Sequence, residues 1–160
     1  MHETKTTEPI RVSITVRCPV ERAFRVFTEE PSTWWPMRSH SIGEERVASV
    51  VMEGRVGGRI YEVADDGSEA EWGVFRVWDP PNRIEYDWNP NPERSVYTYV
   101  VTTFEPVEGG TLVSLEHRSW EQLGEEAERV RTSYASDGGW PLVLSQFARA
   151  AGDVDDATAR

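Results

Sequence analysis

Histidine is the side chain that most readily moves protons near neutral pH, and the chain carries three: His2, His40 and His117. His2 is terminal and His40 falls in an expected loop, so His117 is the one histidine expected in the core. No two histidines have metal-ligand spacing, and no metal is expected. As a general base His117 would need an orienting carboxylate and a substrate within hydrogen-bond reach. Its chain neighbour Glu116 points to the opposite face of a strand. His117 therefore reads as a polar anchor for a ligand or as a satisfied core residue. A second candidate is the carboxylate of Glu71, facing Arg59 or Arg76; a structural ion pair at a cavity mouth accounts for the same residues. Gly57-Gly58 is no phosphate loop, because neither a strand-to-helix transition nor a following Lys-Ser/Thr accompanies it. No catalytic residue is assigned and no cofactor is expected.

The elements that must position these groups follow from periodicity. Ile10, Val12, Ile14 and Val16 alternate with polar residues, the pattern of a half-buried strand. Pro19 suits the start of a helix, and Val20, Ala23, Phe24 and Phe27 share one helical face through about Thr28. Pro31 and Pro36 bracket Trp34 and Trp35, so a second helical turn or tight corner brings two indoles together. Strand-and-turn signals then repeat over 47–52, 59–63, 71–78, 83–88, 95–104 and 111–117, giving seven strands. Their separators, Gly57-Gly58, Asp65-Asp66-Gly67, Asp79 to Asn82, Asn89 to Pro92 and Glu108 to Gly110, favour antiparallel neighbours. Glu71 to Trp78 allows two registers: Gly73, Phe75 and Val77 inside with Glu71, or Trp72, Val74, Arg76 and Trp78. Ser119 to Gln122 has capping-box spacing. Leu123, Ala127, Val130 and Tyr134 form a first helical stripe. Asp137-Gly138-Gly139 interrupts it, and Trp140, Val143, Leu144, Phe147 and Ala151 form a second.

The 160 residues include 28 acidic and 17 basic side chains, a net charge of −11, so neither nucleic acid nor an anionic membrane is an expected partner. Much of the excess lies in Glu121, Glu125, Glu126 and Glu128 and in Asp153, Asp155 and Asp156, which read as solvated faces. Cys18 is the only cysteine, which excludes an intrachain disulfide and makes the cytoplasm the expected compartment. No apolar stretch reads as a signal peptide or a membrane span. One domain over 1–160 is expected, with a core of about 9–151. Seven Trp, five Tyr and five Phe are more than a tight core needs. On alternation, Ile84, Tyr86 and Trp88, then Val100, Thr102 and Phe104, then Val113, Leu115 and His117 form an inner face. Its Trp, Tyr, Thr and His point to a pocket with polar anchors.

Several segments resemble one family in order along the chain: Pro19 to Phe24, Trp34-Trp35-Pro36, Gly57 to Glu62, Asp66-Gly67, Trp72-Gly73-Val74, Trp78 to Ile84, Phe104-Glu105-Pro106, Gly110-Thr111, Glu116-His117 and Gly139-Trp140. Together they are similar to the activator of heat-shock-protein-90 ATPase homologue-like group of the START-like (SRPBCC, Bet v 1-like) superfamily. The resemblance implies an α+β helix-grip fold, a seven-stranded curved antiparallel sheet around a long C-terminal helix, with two short helices after strand one. It also implies a cavity between sheet and helix. Phe24, Phe27, Trp35, Tyr86, Trp88, Phe104, His117, Trp140, Leu144 and Phe147 are the candidate ligand contacts. The expected function is binding or carriage of a small apolar or aromatic molecule by a monomer or homodimer. A polyketide cyclase or aromatase is the alternative, favoured by a buried polar pair such as His117 with Tyr86. Accessory contact with the heat-shock-protein-90 chaperone is a third, although the chain has room only for the START-like domain of such activators.

Overall fold

Alternation keeps one side of most strands apolar, and the seven strands together cover a single layer of rings and helices. The computed structural model describes residues 7–91 and 93–153; His2, Pro92, Asp155 and Asp156 lie outside them. Strand β1 (Ile10–Val16) leads into helix α1 (Val20–Glu29) and a single 3-10 turn, Pro31–Thr33. The strands β2 (Val47–Met52), β3 (Arg59–Ala64), β4 (Glu69–Asp79), β5 (Arg83–Trp88), β6 (Thr98–Val107) and β7 (Gly110–Arg118) follow. They form one antiparallel sheet in the order β1-β7-β6-β5-β4-β3-β2, a meander closed at one side by the first strand. Helices α2 (Ala127–Ala135) and α3 (Trp140–Ala148) form a bent C-terminal pair that the curled sheet grips, the helix-grip arrangement.

All nine inner-face residues expected on β5, β6 and β7 are at most 3% exposed. Their register explains this: Tyr86 pairs with Val100 and Val100 with His117, so one row of inward side chains crosses three strands. Helix α1 buries Ala23, Phe24, Val26 and Phe27. The Phe24 and Phe27 rings meet Phe104 edge-on at 5.2 and 5.5 Å, and Phe147 of α3 meets Phe27 at 5.2 Å.

Strand β4 uses both registers that its sequence allows. Trp72 and Phe75 are both fully buried although an odd spacing separates them. The pairing shifts between Ile60 and Tyr61 on one side of β4 and between Phe75 and Val77 on the other. Each bulge inserts an extra residue and turns the following side chains over. Glu71 is exposed as a consequence, so the carboxylate facing Arg59 or Arg76 is corrected. Arg59 pairs with Glu53 and Glu69, and Arg76 with Asp87.

The Ser119 to Gln122 capping box is corrected as well. Ser119 has φ +72 and its side chain makes no cap. Trp120 is drawn fully under the sheet, its indole N–H donating to the His117 carbonyl at 2.8 Å. That pull twists the chain through the left-handed region, and Trp120–Glu126 continues as 3-10 turns rather than as a capped α-helix. Strand β6 begins at Thr98 rather than Ser95. The Asn89 side-chain amide donates to the Arg94 carbonyl at 2.9 Å and holds the preceding segment as a loop.

Close backbone approach fixes one position of β4. A Cβ on Gly73 would lie 1.9 Å from the Asp87 carbonyl oxygen of β5. Gly73→Ala is expected to lower unfolding free energy by about 1–3 kcal/mol, read as a reduced urea midpoint with an unchanged slope; an unaltered midpoint would mean that the two strands part without cost.

Candidate functional site

A buried carboxylate organises the loop after α1. Glu62 on β3 is 3% exposed and accepts three N–H bonds, each 2.7 Å long, from the Ile42 and Gly43 main chain and from the Trp72 indole. Main-chain and indole donors compensate its desolvation, with no cation needed. The loop is thereby pinned to the sheet. Trp34 is fixed from the other side, its N–H donating to the Val26 carbonyl of α1 at 3.0 Å. The Trp35 N–H closes the loop on itself, donating to the His40 carbonyl at 2.9 Å.

From this anchored corner the Trp35 ring reaches Trp72, Trp88 and Trp140, with centroids 5.1, 5.8 and 6.0 Å apart. Trp88 stands at the end of β5 and Trp140 at the start of α3. Trp140 can stand there because Gly139 precedes it; a Cβ at Gly139 would lie 2.1 Å from the Tyr134 carbonyl oxygen, so the α2–α3 bend requires glycine. Tyr134, on the last turns of α2, stacks on Trp140 at 5.8 Å with 27° between the rings and accepts the Trp88 indole N–H at 3.1 Å.

Between the corner and the bend lies a pocket of about 500 Å³. Trp35, Trp88, Trp140, Tyr134 and Val143 supply apolar wall, and Ser39, His40 and Ser41 supply a polar side. His40 bridges the two sides of the mouth. Its Nε2–H donates to the Gly138 carbonyl at 2.7 Å, and its Nδ1 is hydrogen-bonded to the Ser39 hydroxyl at 2.6 Å.

Of the residues singled out from sequence, Trp35, Trp88 and Trp140 line this pocket. Phe24, Phe27, Phe104 and Phe147 instead fill the space between sheet and helices with edge-to-face contacts, and Leu144 lies buried beside them. Tyr86 is held in the core, its hydroxyl 3.3 Å from Thr102 Oγ1, and burial raises its pKa. The open volume therefore sits at the mouth, beside the helix bend, rather than along the sheet–helix interface. Tyr134, His40, Ser39 and Glu62 complete the site without having been singled out as ligand contacts. Tyr134 carried only a helical stripe signal, His40 a loop signal, and Glu62 stood unremarked within the Gly57 to Glu62 segment.

His117 lies fully buried behind Trp140. An indole N–H can only donate, so the 2.9 Å contact from Trp140 Nε1 requires an unprotonated Nδ1. The proton is then on Nε2, which donates to Thr98 Oγ1 at 2.7 Å; that hydroxyl donates onward to the Trp88 carbonyl at 3.1 Å. The ring is neutral with its basic lone pair occupied, and burial holds its pKa well below 6.5. It is not paired with Tyr86, and it has no free nitrogen with which to take a proton. Among the described residues no three His, Cys, Asp or Glu side chains come together as a metal site, and no helix is long and apolar enough to cross a membrane.

Residues 17–152 match the family described as Activator of Hsp90 ATPase homolog 1-like protein. Among solved structures, an anthrahydroquino-γ-pyrone synthase, Txn09, complexed with SUM, is 32% identical over 90% of this chain and 97% of that one, with a TM-score of 0.62. CalC, a self-sacrificing resistance protein from Micromonospora echinospora, is 26% identical over 92% and 97%, with a TM-score of 0.66. Protein NE0264 from Nitrosomonas europaea shares the fold at 16% identity over 91% and 94%, with a TM-score of 0.65. No curated protein matches the chain at a significant level.

The neutral state of His117 gives stability a defined pH dependence. In the unfolded chain this histidine takes up a proton below about pH 6.5, while in the folded chain it does not. The unfolded state thus binds more protons, and stability is lost as pH falls from about 7 to 5, with a slope approaching about 1.4 kcal/mol per pH unit. Urea midpoints across this window test it. His117→Gln, which keeps a donor and an acceptor but does not titrate, is expected to remove that slope, and an equal slope in the variant would rule out the assignment.

Proposed function

We propose that this chain, which belongs to the Activator of Hsp90 ATPase homolog 1-like family, binds and carries a small flat aromatic molecule in the pocket between the Trp35–Ser41 corner and the α2–α3 bend. The observation that carries the reading is the convergence of Trp35, Trp88, Trp140 and Tyr134 on one volume of about 500 Å³. That volume suits a small molecule, since such sites span about 300–1,000 Å³. The walls are pre-organised: each of the three indoles is held by its own hydrogen bond, so little side-chain entropy is lost when a ring enters.

A cyclase-like reaction in the same pocket is the second reading. The 32% identical protein is described as a synthase of an anthrahydroquinone γ-pyrone, which favours it. In that reading the Ser39–His40 pair at the mouth supplies the proton-handling groups, because the basic nitrogen of His117 is already occupied.

Native mass spectrometry of the freshly purified protein, followed by extraction and a thermal-shift panel of bicyclic to tetracyclic aromatics, tests the binding reading. A retained or stabilising aromatic is expected; a protein that holds none and responds to none removes it. Gly138→Trp supplies the site control. A Cβ at Gly138 meets nothing within 4 Å, so an indole there obstructs the pocket lip without crowding the core. Affinity is expected to fall by about tenfold or more at an unchanged melting temperature, and an unchanged affinity would put the ligand elsewhere.

A further inference from the structure

The polar groups of the pocket are almost all already engaged. Trp35 donates to the His40 carbonyl, Trp88 to Tyr134 and Trp140 to His117, so none of the three indoles offers its N–H to a ligand. Ser39 is bonded to His40 Nδ1, Ser41 donates to the Met37 carbonyl and Ser136 donates to the Ser133 carbonyl. Tyr134 differs. Its oxygen accepts the Trp88 N–H, and no acceptor for its own proton is found among the described residues. Burial raises this phenol above its ordinary pKa, so the proton stays on the oxygen at neutral pH. Ser133 is exposed, which leaves Tyr134 as the sheltered side-chain hydroxyl with a proton to give.

The walls also lack charge. Among the described residues no Asp, Glu, Lys or Arg lines the pocket, and the chain as a whole carries −11. A carboxylate entering it would lose hydration with no unpaired Lys or Arg in the lining to compensate, since Arg94, whose charge reaches Tyr134, is already paired with Glu126; that is costly.

Resting on the aromatic-binding reading above, we propose that Tyr134 is the specificity-determining donor of the pocket, hydrogen-bonding a carbonyl oxygen on an uncharged flat polycyclic ligand, and that the site rejects carboxylate-bearing acyl chains. The Trp88 N–H on the Tyr134 oxygen polarises the phenol and strengthens the bond it donates. Trp140, stacked on the Tyr134 ring, fixes its plane, so the donor is set before the ligand arrives.

Calorimetric titration with three probes tests this: flavone; 2-phenylnaphthalene, which has the same outline without the carbonyl; and laurate. Wild-type protein is expected to prefer flavone over 2-phenylnaphthalene by about five- to tenfold, the range of one net hydrogen bond, and to bind laurate far more weakly than either. In Tyr134→Phe the preference disappears while the affinity for 2-phenylnaphthalene stays within about twofold. A preference that survives in Tyr134→Phe, or laurate bound as tightly as flavone, overturns the proposal and leaves aromatic binding standing. If neither aromatic binds wild-type protein, the binding reading falls and takes the proposal with it. Loss of the phenol oxygen leaves the Trp88 N–H without its acceptor, so a measurement on wild-type protein stands beside the variant. The infrared carbonyl band of bound flavone is expected below its position in dry alkane, and an unshifted band overturns the assignment.

Discussion

An indole N–H taken out of water must find an acceptor, and this requirement organises the molecule. Trp34 finds the Val26 carbonyl, Trp35 the His40 carbonyl, Trp72 the Glu62 carboxylate, Trp88 the Tyr134 hydroxyl, Trp120 the His117 carbonyl and Trp140 the His117 ring. Most of these bonds join different elements: corner to helix α1, β4 to β3, β5 to α2, α3 to β7. Ring packing is otherwise tolerant of small rotations; a donor that must meet its acceptor is not. The indoles therefore supply both the apolar area that drives collapse and the directional bonds that select one arrangement. His117 is the point where two of them meet, which explains a fully buried histidine without any appeal to catalysis.

Much of the architecture was legible because alternation and turn chemistry act locally. The inner face of β5 to β7, the helix after Pro19 and the interruption at Asp137-Gly138-Gly139 all followed from spacing. What escaped depends on contacts distant in sequence. Trp72 and Phe75 could not both be assigned inward from alternation alone, because a bulge is decided by the neighbouring strand and by the approach of Asp87 to Gly73. Ser119 and Gln122 had the spacing of a cap, yet the pull on Trp120 outweighed it. A capping bond contributes about 1 kcal/mol, less than the roughly 3–5 kcal/mol at stake in seating a fully buried indole.

The site divided along the same line. Rings announced themselves by type, so Trp35, Trp88 and Trp140 were legible as candidates, whereas which rings would close on one another was not. Phe24, Phe27, Phe104 and Phe147 fill the space between sheet and helices, and the remaining opening is displaced to the mouth, where Gly139 bends the C-terminal helices. Glu62 was illegible for a different reason: nothing in a strand residue's own neighbourhood foretells two main-chain donors from a loop some twenty positions earlier. Tyr134 read as one more apolar position of α2 because a phenol's ring and its hydroxyl give opposite signals, and only the tertiary contact with Trp88 separates them.

The rings from Trp34 through Trp35, Trp72, Trp88 and Trp140 to Tyr134 touch in succession, with neighbouring centroids 5.1 to 5.8 Å apart, and Trp35 also meets Trp140 at 6.0 Å. At such separations an excited state does not belong to one indole; it migrates before it emits. Four members of this chain of chromophores, Trp35, Trp88, Trp140 and Tyr134, face the pocket. A ligand there would draw light energy from tryptophans it never touches, and the molecule's own ultraviolet emission would report occupancy collectively, as an antenna does.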